Sequence, residues 1–318
     1  MYRILISDKL GQAGLDYLAG LADVAFDVKT GLDKAALMAA LPAYDALIIR
    51  SGTRPDAEII AAGTRLKVIG RAGMGVDNVD LAAATAHGVL VMNTPRANSV
   101  ATAEQTLALM LAAARHTVAA HNSVAAGDWA RAQYVGMELD GKTLGIIGFG
   151  HIGRLVAARA RAFGMRVVAT DPYVDAETAV EHGASLMPLP ELLAHSDVIT
   201  LHSVATPETV NLINAETLAQ MKDGVLLVNV ARGKLIDEQA LADALHSGKV
   251  AAAALDVYQQ EPPVNSPLIG LPNVLHTPHL GASSREAQRR VALEIAEQVV
   301  EALRGTAYRN VVNAEVLP

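Results

Sequence analysis

The chain contains no cysteine, which removes disulfide frameworks, thiolate nucleophiles and cysteine-held metals together. Aromatic residues make up only 3% of it, so its cores must be built from Leu, Val, Ile and Ala. Positive charge is also scarce: 26 Lys and Arg against 33 Asp and Glu give a net charge of −7. The basic residues are dispersed and leave no nucleic-acid footprint. An anionic ligand must therefore be held by local arginines and helix termini, against the general field. No stretch approaches the roughly 18 consecutive apolar residues of a membrane span; the run Leu107 to Ala114 halts at Arg115 and His116. Residues 1–8 read as a first strand and lack the long apolar core of a signal peptide. These absences predict a cytoplasmic protein with no membrane or nucleic-acid partner. The ten histidines lack the spacing of a metal site, so no metal is expected.

What is present is organised around one stretch. Leu144 to Ile147 is a short apolar run, followed at once by Gly148-Phe-Gly150-His-Ile-Gly153 and then by a helical segment closed at Gly164. Strand, glycine turn and helix are the context in which G-x-G-x-x-G signals a dinucleotide site. Gly148 permits the tight turn, Gly150 lets the backbone approach a pyrophosphate, and Gly153 lets helix and strand pack closely. A second strand, 166–170, ends at Asp171. A carboxylate there accepts from the adenosine ribose and repels a 2′-phosphate, which favours NAD over NADP.

At 318 residues, half of them apolar, two domains are the natural division. Strand candidates at 4–6, 46–49, 68–69 and 89–91 alternate with helices at 11–21, 34–41, 56–62 and 78–87, which argues a parallel sheet with crossover helices. Residues 98–126 read as one long helix, capped by Asn98 or Ser99 and ended by Gly127. Beyond the glycine turn, strands at 197–201, 224–229, 251–255 and 274–276, with helices at 191–194, 215–221 and 238–245, extend a sheet of six or seven strands. A final helix spans 284–303, and the tail after it reaches back to the first domain. The expected architecture is α/β: residues 1–97 with 284–318 form a discontinuous, flavodoxin-like substrate domain, and 98–283 a Rossmann-type NAD-binding domain, with a cleft between.

Chemistry concentrates where strands of the second sheet should end, the edge at which open α/β sheets bind ligands. Glu261 and His279, each beside prolines, are a possible pair: a carboxylate raises the pKa of an imidazole and fixes its tautomer, which suits a general acid/base near neutral pH. Arg232 can fork onto a carboxylate, as lysine cannot. The same residues also admit a bland arrangement, with Arg232 in a structural pair, Glu261 solvated and His279 in a satisfied turn. His276 reads as the end of its strand.

Six stretches in order (71–80, 141–153, 228–233, 254–258, 261–262 and 279–283) resemble the D-isomer-specific 2-hydroxyacid dehydrogenases, most closely their phosphoglycerate dehydrogenase branch, and the resemblance runs almost end to end. It implies NAD-dependent oxidation of a D-2-hydroxy acid to the 2-oxo acid, with 3-phosphoglycerate and serine biosynthesis foremost. His279 becomes the acid/base, Glu261 its partner and Arg232 the clamp on the substrate carboxylate. By the same resemblance His151, Ile152, Ser203, Val230, Asp256, Gly281 and Ala282 line the cofactor, Asp256 near the nicotinamide carboxamide. Ser51, Gly73, Met74, Gly75, Val76 and Asn98 face the substrate, with Arg50, Arg71 and Arg131 as its cations, Arg131 from the partner subunit of a homodimer. Arg71 is equally suited to a structural salt bridge. Met74 stands where that branch often has threonine, which puts a polar contact in doubt. The chain ends at Pro318, so the regulatory domains that some members append, and feedback through them, are not expected. Two alternatives stand beside it: a glyoxylate or hydroxypyruvate reductase with the same machinery, and, from a different class, an NADH-sensing corepressor-like protein in which the dehydrogenase scaffold serves as a binding module.

Overall fold

The computed structural model describes residues 1–317. The chain divides into two compact units, Met1–Ser99 with Ala282–Pro318, and Val100–Gly281.

The first unit is built on five parallel strands: β1 (Tyr2–Ile6), β2 (Val24–Val28), β3 (Ala46–Ile49), β4 (Val68–Arg71) and β5 (Leu90–Met92). Their order is β2-β1-β3-β4-β5, the flavodoxin-like arrangement, in which ligands bind beyond the carboxyl ends of the strands. Apolar clusters cover both faces, one around Leu47, Ile49 and Ile69, the other around Ile4, Ile48, Ile295 and Val299. Sheets buried on both sides read as unbroken apolar runs, and Ala46–Ile49 is buried at every position. The helix Arg285–Arg304 supplies much of the second cluster. The tail beyond it returns to β5: Val311 bridges Met92, and Asn313 accepts from the Val91 N–H at 2.8 Å.

The second unit carries seven parallel strands: β6 (Thr143–Ile147), β7 (Arg166–Thr170), β8 (Ser185–Leu186), β9 (Val198–Leu201), β10 (Val225–Asn229), β11 (Val250–Leu255) and β12 (Val274–His276). The order β12-β11-β10-β9-β6-β7-β8 reverses between β6 and β9. That is the switch point of a Rossmann-type sheet, where dinucleotides bind. β6 and β10 are buried throughout, and apolar clusters lie on both faces. No helix of the described residues is long and apolar enough to cross a membrane.

Two expectations are corrected. The single helix over 98–126 is two, Ser99–Ala114 and Thr117–Ala125, separated by His116 at φ +50°. A competing tertiary contact accounts for the break. The Ala114 carbonyl, which a continuing helix would use four residues on, accepts from Met137 N–H at 2.8 Å instead. The helix expected over 78–87 covers only Leu81–Ala86, capped by Asp80, because Asn78 turns its amide onto the carbonyls of Arg50 and Thr53. β2 and the helix Ala176–Glu181 went unread. β2 is a half-buried edge strand with Asp27 inside it, so it shows no continuous apolar run.

Candidate active site

At the β6–β9 switch point each glycine of the turn has its own reason. Gly148 stands at φ +93°, and a Cβ on it would lie 2.6 Å from the backbone of His202 and Ser203, at the end of β9. On Gly153 it would lie 2.4 Å from the Gly148 carbonyl, so helix His151–Ala162 sits tight on the turn. Around Gly150 a Cβ would meet nothing within 4 Å. Gly150 is that helix's N-cap and offers no side-chain hydrogen bond, so the first N–H groups are left for an anion. His151 is exposed at the helix start and Ile152 half-buried behind it.

Asp171, just past β7, accepts from Phe149 N–H at 2.8 Å and Tyr173 N–H at 2.9 Å, which places the acid beside the glycine turn. Opposite, the Ser203 hydroxyl and His202 Nδ1 are buried without a hydrogen-bond partner among the described residues. Burial holds the His202 imidazole down to about 3, so it stays neutral. Open space over a helix N-terminus, a flanking carboxylate and unsatisfied buried polar atoms fit a dinucleotide's pyrophosphate and ribose.

The second group lies at the carboxyl ends of β10, β11 and β12. His279 Nδ1 is 2.8 Å from Glu261 Oε2, with both side chains about half exposed. Burial pushes the Glu261 carboxyl up, but the hydrogen bond and charge of His279, the Tyr258 N–H and the charge of Arg232 outweigh it and hold it below the usual carboxylate range. Arg232 follows β10 in a loop tied by Asn229, fully buried, whose side chain donates to the Arg232 carbonyl and accepts from Ala231 N–H.

Asp256, also fully buried, fixes the histidine loop. Its carboxylate accepts from Thr277 Oγ1 at 2.5 Å, Leu280 N–H at 2.7 Å and Gly281 N–H at 2.8 Å, and its carbonyl accepts from His279 N–H. Held so, His279 takes φ +55°, a conformation histidine tolerates better than most residues. Expected at the nicotinamide, Asp256 has its carboxylate engaged in holding this loop. Val230 is buried, and a Cβ on Gly281 would reach it at 3.1 Å. A cavity of about 370 Å³ opens beside the pair, lined by Tyr258, Ile269, His276 and Pro278 among others.

The other expected substrate residues belong to the first unit. Ile49 pairs with Arg71 in the β3–β4 register, so Arg50 and Arg71 leave neighbouring strands at the same edge. Asp8 accepts from the backbone N–H of Arg50 and Thr53, which pins the loop bearing Ser51. The Arg71 guanidinium folds back over Gly73 and donates to the Ala72 carbonyl at 3.4 Å. A Cβ on Gly73, at φ +144°, would collide with it. Met74, Gly75 and Val76 continue that loop, half-buried, with Asn93 donating to the Met74 carbonyl. Asn98 is buried. Ala282, expected with the cofactor residues, falls in the first unit, where its carbonyl accepts from Gln288. Arg131 opens an exposed 3₁₀ turn, Arg131–Gln133, in the second unit.

Residues 107–281 match the family described as D-isomer specific 2-hydroxyacid dehydrogenase, NAD binding domain. The chain belongs to that family. Its second unit is the family's NAD-binding domain, and NAD is the cofactor that the open glycine turn and Asp171 suit. Among curated relatives, D-3-phosphoglycerate dehydrogenase of Synechocystis is 48% identical over 98% of this chain; the chain spans 56% of that relative's length. Among solved structures, the TT0316 protein of Thermus thermophilus superposes with a TM-score of 0.88 at 40% identity, covering 98% of this chain and 99% of that one. A glyoxylate reductase from Paecilomyes thermophila gives 0.89 at 34% identity, with 98% of each chain covered.

Several contacts that shape the site went unread in the sequence. Asp8 and Asn78 shape the Ser51 loop from positions distant in the chain. Tyr258 and His276, 18 apart, meet across the loop end: the phenol lies 2.7 Å from His276 Nδ1. His276 does end its strand, as expected, and has this second contact besides. A polar residue closing a strand in the same segment as His279 was the only available signal.

Proposed function

We propose that the protein catalyses NAD-dependent oxidation of a D-2-hydroxy acid to the 2-oxo acid, with 3-phosphoglycerate as the substrate. The observation that carries this reading is the 2.8 Å Glu261–His279 pair with the Arg232 charge bearing on it, at the ligand-binding edge of an NAD-type sheet. His279 takes the proton of the substrate hydroxyl at its Nε2, since Nδ1 is engaged by Glu261. Glu261 fixes that tautomer and stabilises the imidazolium that forms. Arg232 holds the substrate carboxylate with two parallel hydrogen bonds. NAD, when bound, supplies the hydride acceptor.

The substrate preference is supported by the 48% identity to a D-3-phosphoglycerate dehydrogenase and by the cations that a phosphate requires. On this reading Arg50 and Arg131 bind the phosphate, Arg131 in trans from the second copy of a cytoplasmic homodimer, and Ser51, Arg71, Gly73 to Val76 and Asn98 contact the rest of the acid. An exposed helix with no buried residue, Thr117–Ala125, and exposed Trp129 and Val135 beyond it support a second copy. A glyoxylate or hydroxypyruvate reductase is the second reading, favoured by the 34% identity to a glyoxylate reductase along the full chain. A steady-state screen of 3-phosphoglycerate, glycerate, glycolate and D-lactate with NAD, and of glyoxylate and hydroxypyruvate with NADH, decides. The first reading expects the highest kcat/KM with 3-phosphoglycerate. A preference for glyoxylate overturns it for the second, and NADH binding without turnover of any acid points to a binding protein.

A further inference from the structure

Tyr258 touches all three elements that carry the acid/base machinery. Its backbone fills the space where Gly233 would otherwise bear a side chain: a Cβ there would lie 1.9 Å from the Tyr258 carbonyl carbon, and Gly233 adjoins Arg232. Its N–H donates to Glu261 Oε1 at 3.4 Å, the carboxylate oxygen that His279 does not use. Its hydroxyl lies 2.7 Å from Nδ1 of His276, in the same strand end and loop as His279, and the two rings stack with centroids 6.1 Å apart. The side chain is buried at 7% exposure.

The chemistry sets the direction of the hydroxyl bond. Burial foremost, and the nearby charges of Glu238, Asp256 and Glu261, push the phenol up to about 12, so it keeps its proton and donates. Burial lowers the His276 imidazole, so near neutral pH the ring is neutral, and with the phenol donating, Nδ1 is the acceptor and Nε2 carries the proton. The Leu255 carbonyl, at 3.4 Å, is the weaker alternative acceptor.

We propose that Tyr258, locked by His276, is the positioning residue that holds Glu261 against His279 and keeps the Arg232 loop in register with them. The inference rests on the acid/base reading of the Glu261–His279 pair. Neither Tyr258 nor His276 is assigned a step in the reaction; they act through Glu261.

The test is a double-mutant cycle on kcat and on the pH profile of kcat/KM, using the full chain. Tyr258→Phe keeps the ring and removes only the hydroxyl. Loss of one hydrogen bond predicts a fall in kcat of roughly five- to tenfold, with NADH affinity unchanged and the pH profile displaced toward that of Glu261→Gln. His276→Leu should do the same, and the pair Tyr258→Phe/His276→Leu should be no worse than either alone. Tyr258→Phe added to Glu261→Gln should cost less than about twofold further, because the residue being positioned is already impaired. Losses that multiply in the double variants overturn the inference while leaving the acid/base reading intact. A Glu261→Gln enzyme with wild-type kcat and profile removes both. Carbon-13 NMR of the Glu261 carboxyl supplies a readout independent of substrate: its midpoint should rise in Tyr258→Phe, and an unmoved midpoint contradicts the proposal.

Discussion

Asp171 accepts the Phe149 N–H at 2.8 Å, so the acid that ends β7 also fixes the glycine turn beside β6. Charge and hydrogen bonding at this position are therefore separable by substitution. Asp171→Asn keeps an acceptor for Phe149 but no longer repels a 2′-phosphate. NAD should be strongly preferred by the wild type, and Asp171→Asn should narrow the gap to NADP at some cost in NAD affinity, because its single oxygen cannot accept from both Phe149 and Tyr173 N–H. Asp171→Ala should narrow it too, and weaken NAD further, because the turn loses its anchor. Kd values for both cofactors check this. Equal use of NAD and NADP by the unmutated protein removes the assignment.

Arg131 carries the phosphate prediction. Removing one charge-assisted contact costs about 1.5–3 kcal/mol. Arg131→Ala should therefore lower kcat/KM for 3-phosphoglycerate by about ten- to a hundredfold, chiefly through KM, and leave D-glycerate nearly unchanged. Equal losses on both acids, or a monomer by sedimentation at assay concentration, sink the trans-phosphate reading.

Stability in acid has a traceable source at Asp45, whose side chain is 7% exposed. Burial raises its carboxyl, but the Arg3 N–H, the Arg65 guanidinium and Lys67 outweigh this and hold it below the ordinary value. A carboxyl depressed by folding contributes fully above its unfolded pKa of about 3.9, and that contribution fades as pH falls through the lower folded value. Asp45→Asn should cost about 2 kcal/mol at pH 7, and its difference from wild type should shrink as pH falls below about 4. Urea titrations across that range make the comparison; a difference unaffected by pH contradicts it.

Much of this was legible in the sequence because the signals were local. The strand, three glycines and Asp171 follow one another within thirty residues, and buried parallel strands such as β10 are unbroken apolar runs. Glu261 and His279 were readable as a pair, though only the fold fixes their 2.8 Å approach. What escaped depends on contacts between distant segments. The break at His116 follows from Met137 taking the Ala114 carbonyl. The anchoring carboxylate of Asp256 meets a loop more than twenty residues away, and the Tyr258 phenol finds His276 only when β11 and β12 lie side by side. Helix periodicity carries none of that information.

In the proposed mechanism His279, held by Glu261, moves the substrate proton. This step is tested most directly by kcat of His279→Ala, with the NADH dissociation constant measured in parallel. The expected kcat is lower by roughly 10²–10⁴, with NADH affinity within about twofold of wild type, since the glycine turn and Asp171 are untouched. A variant that retains kcat within a few-fold of wild type contradicts it.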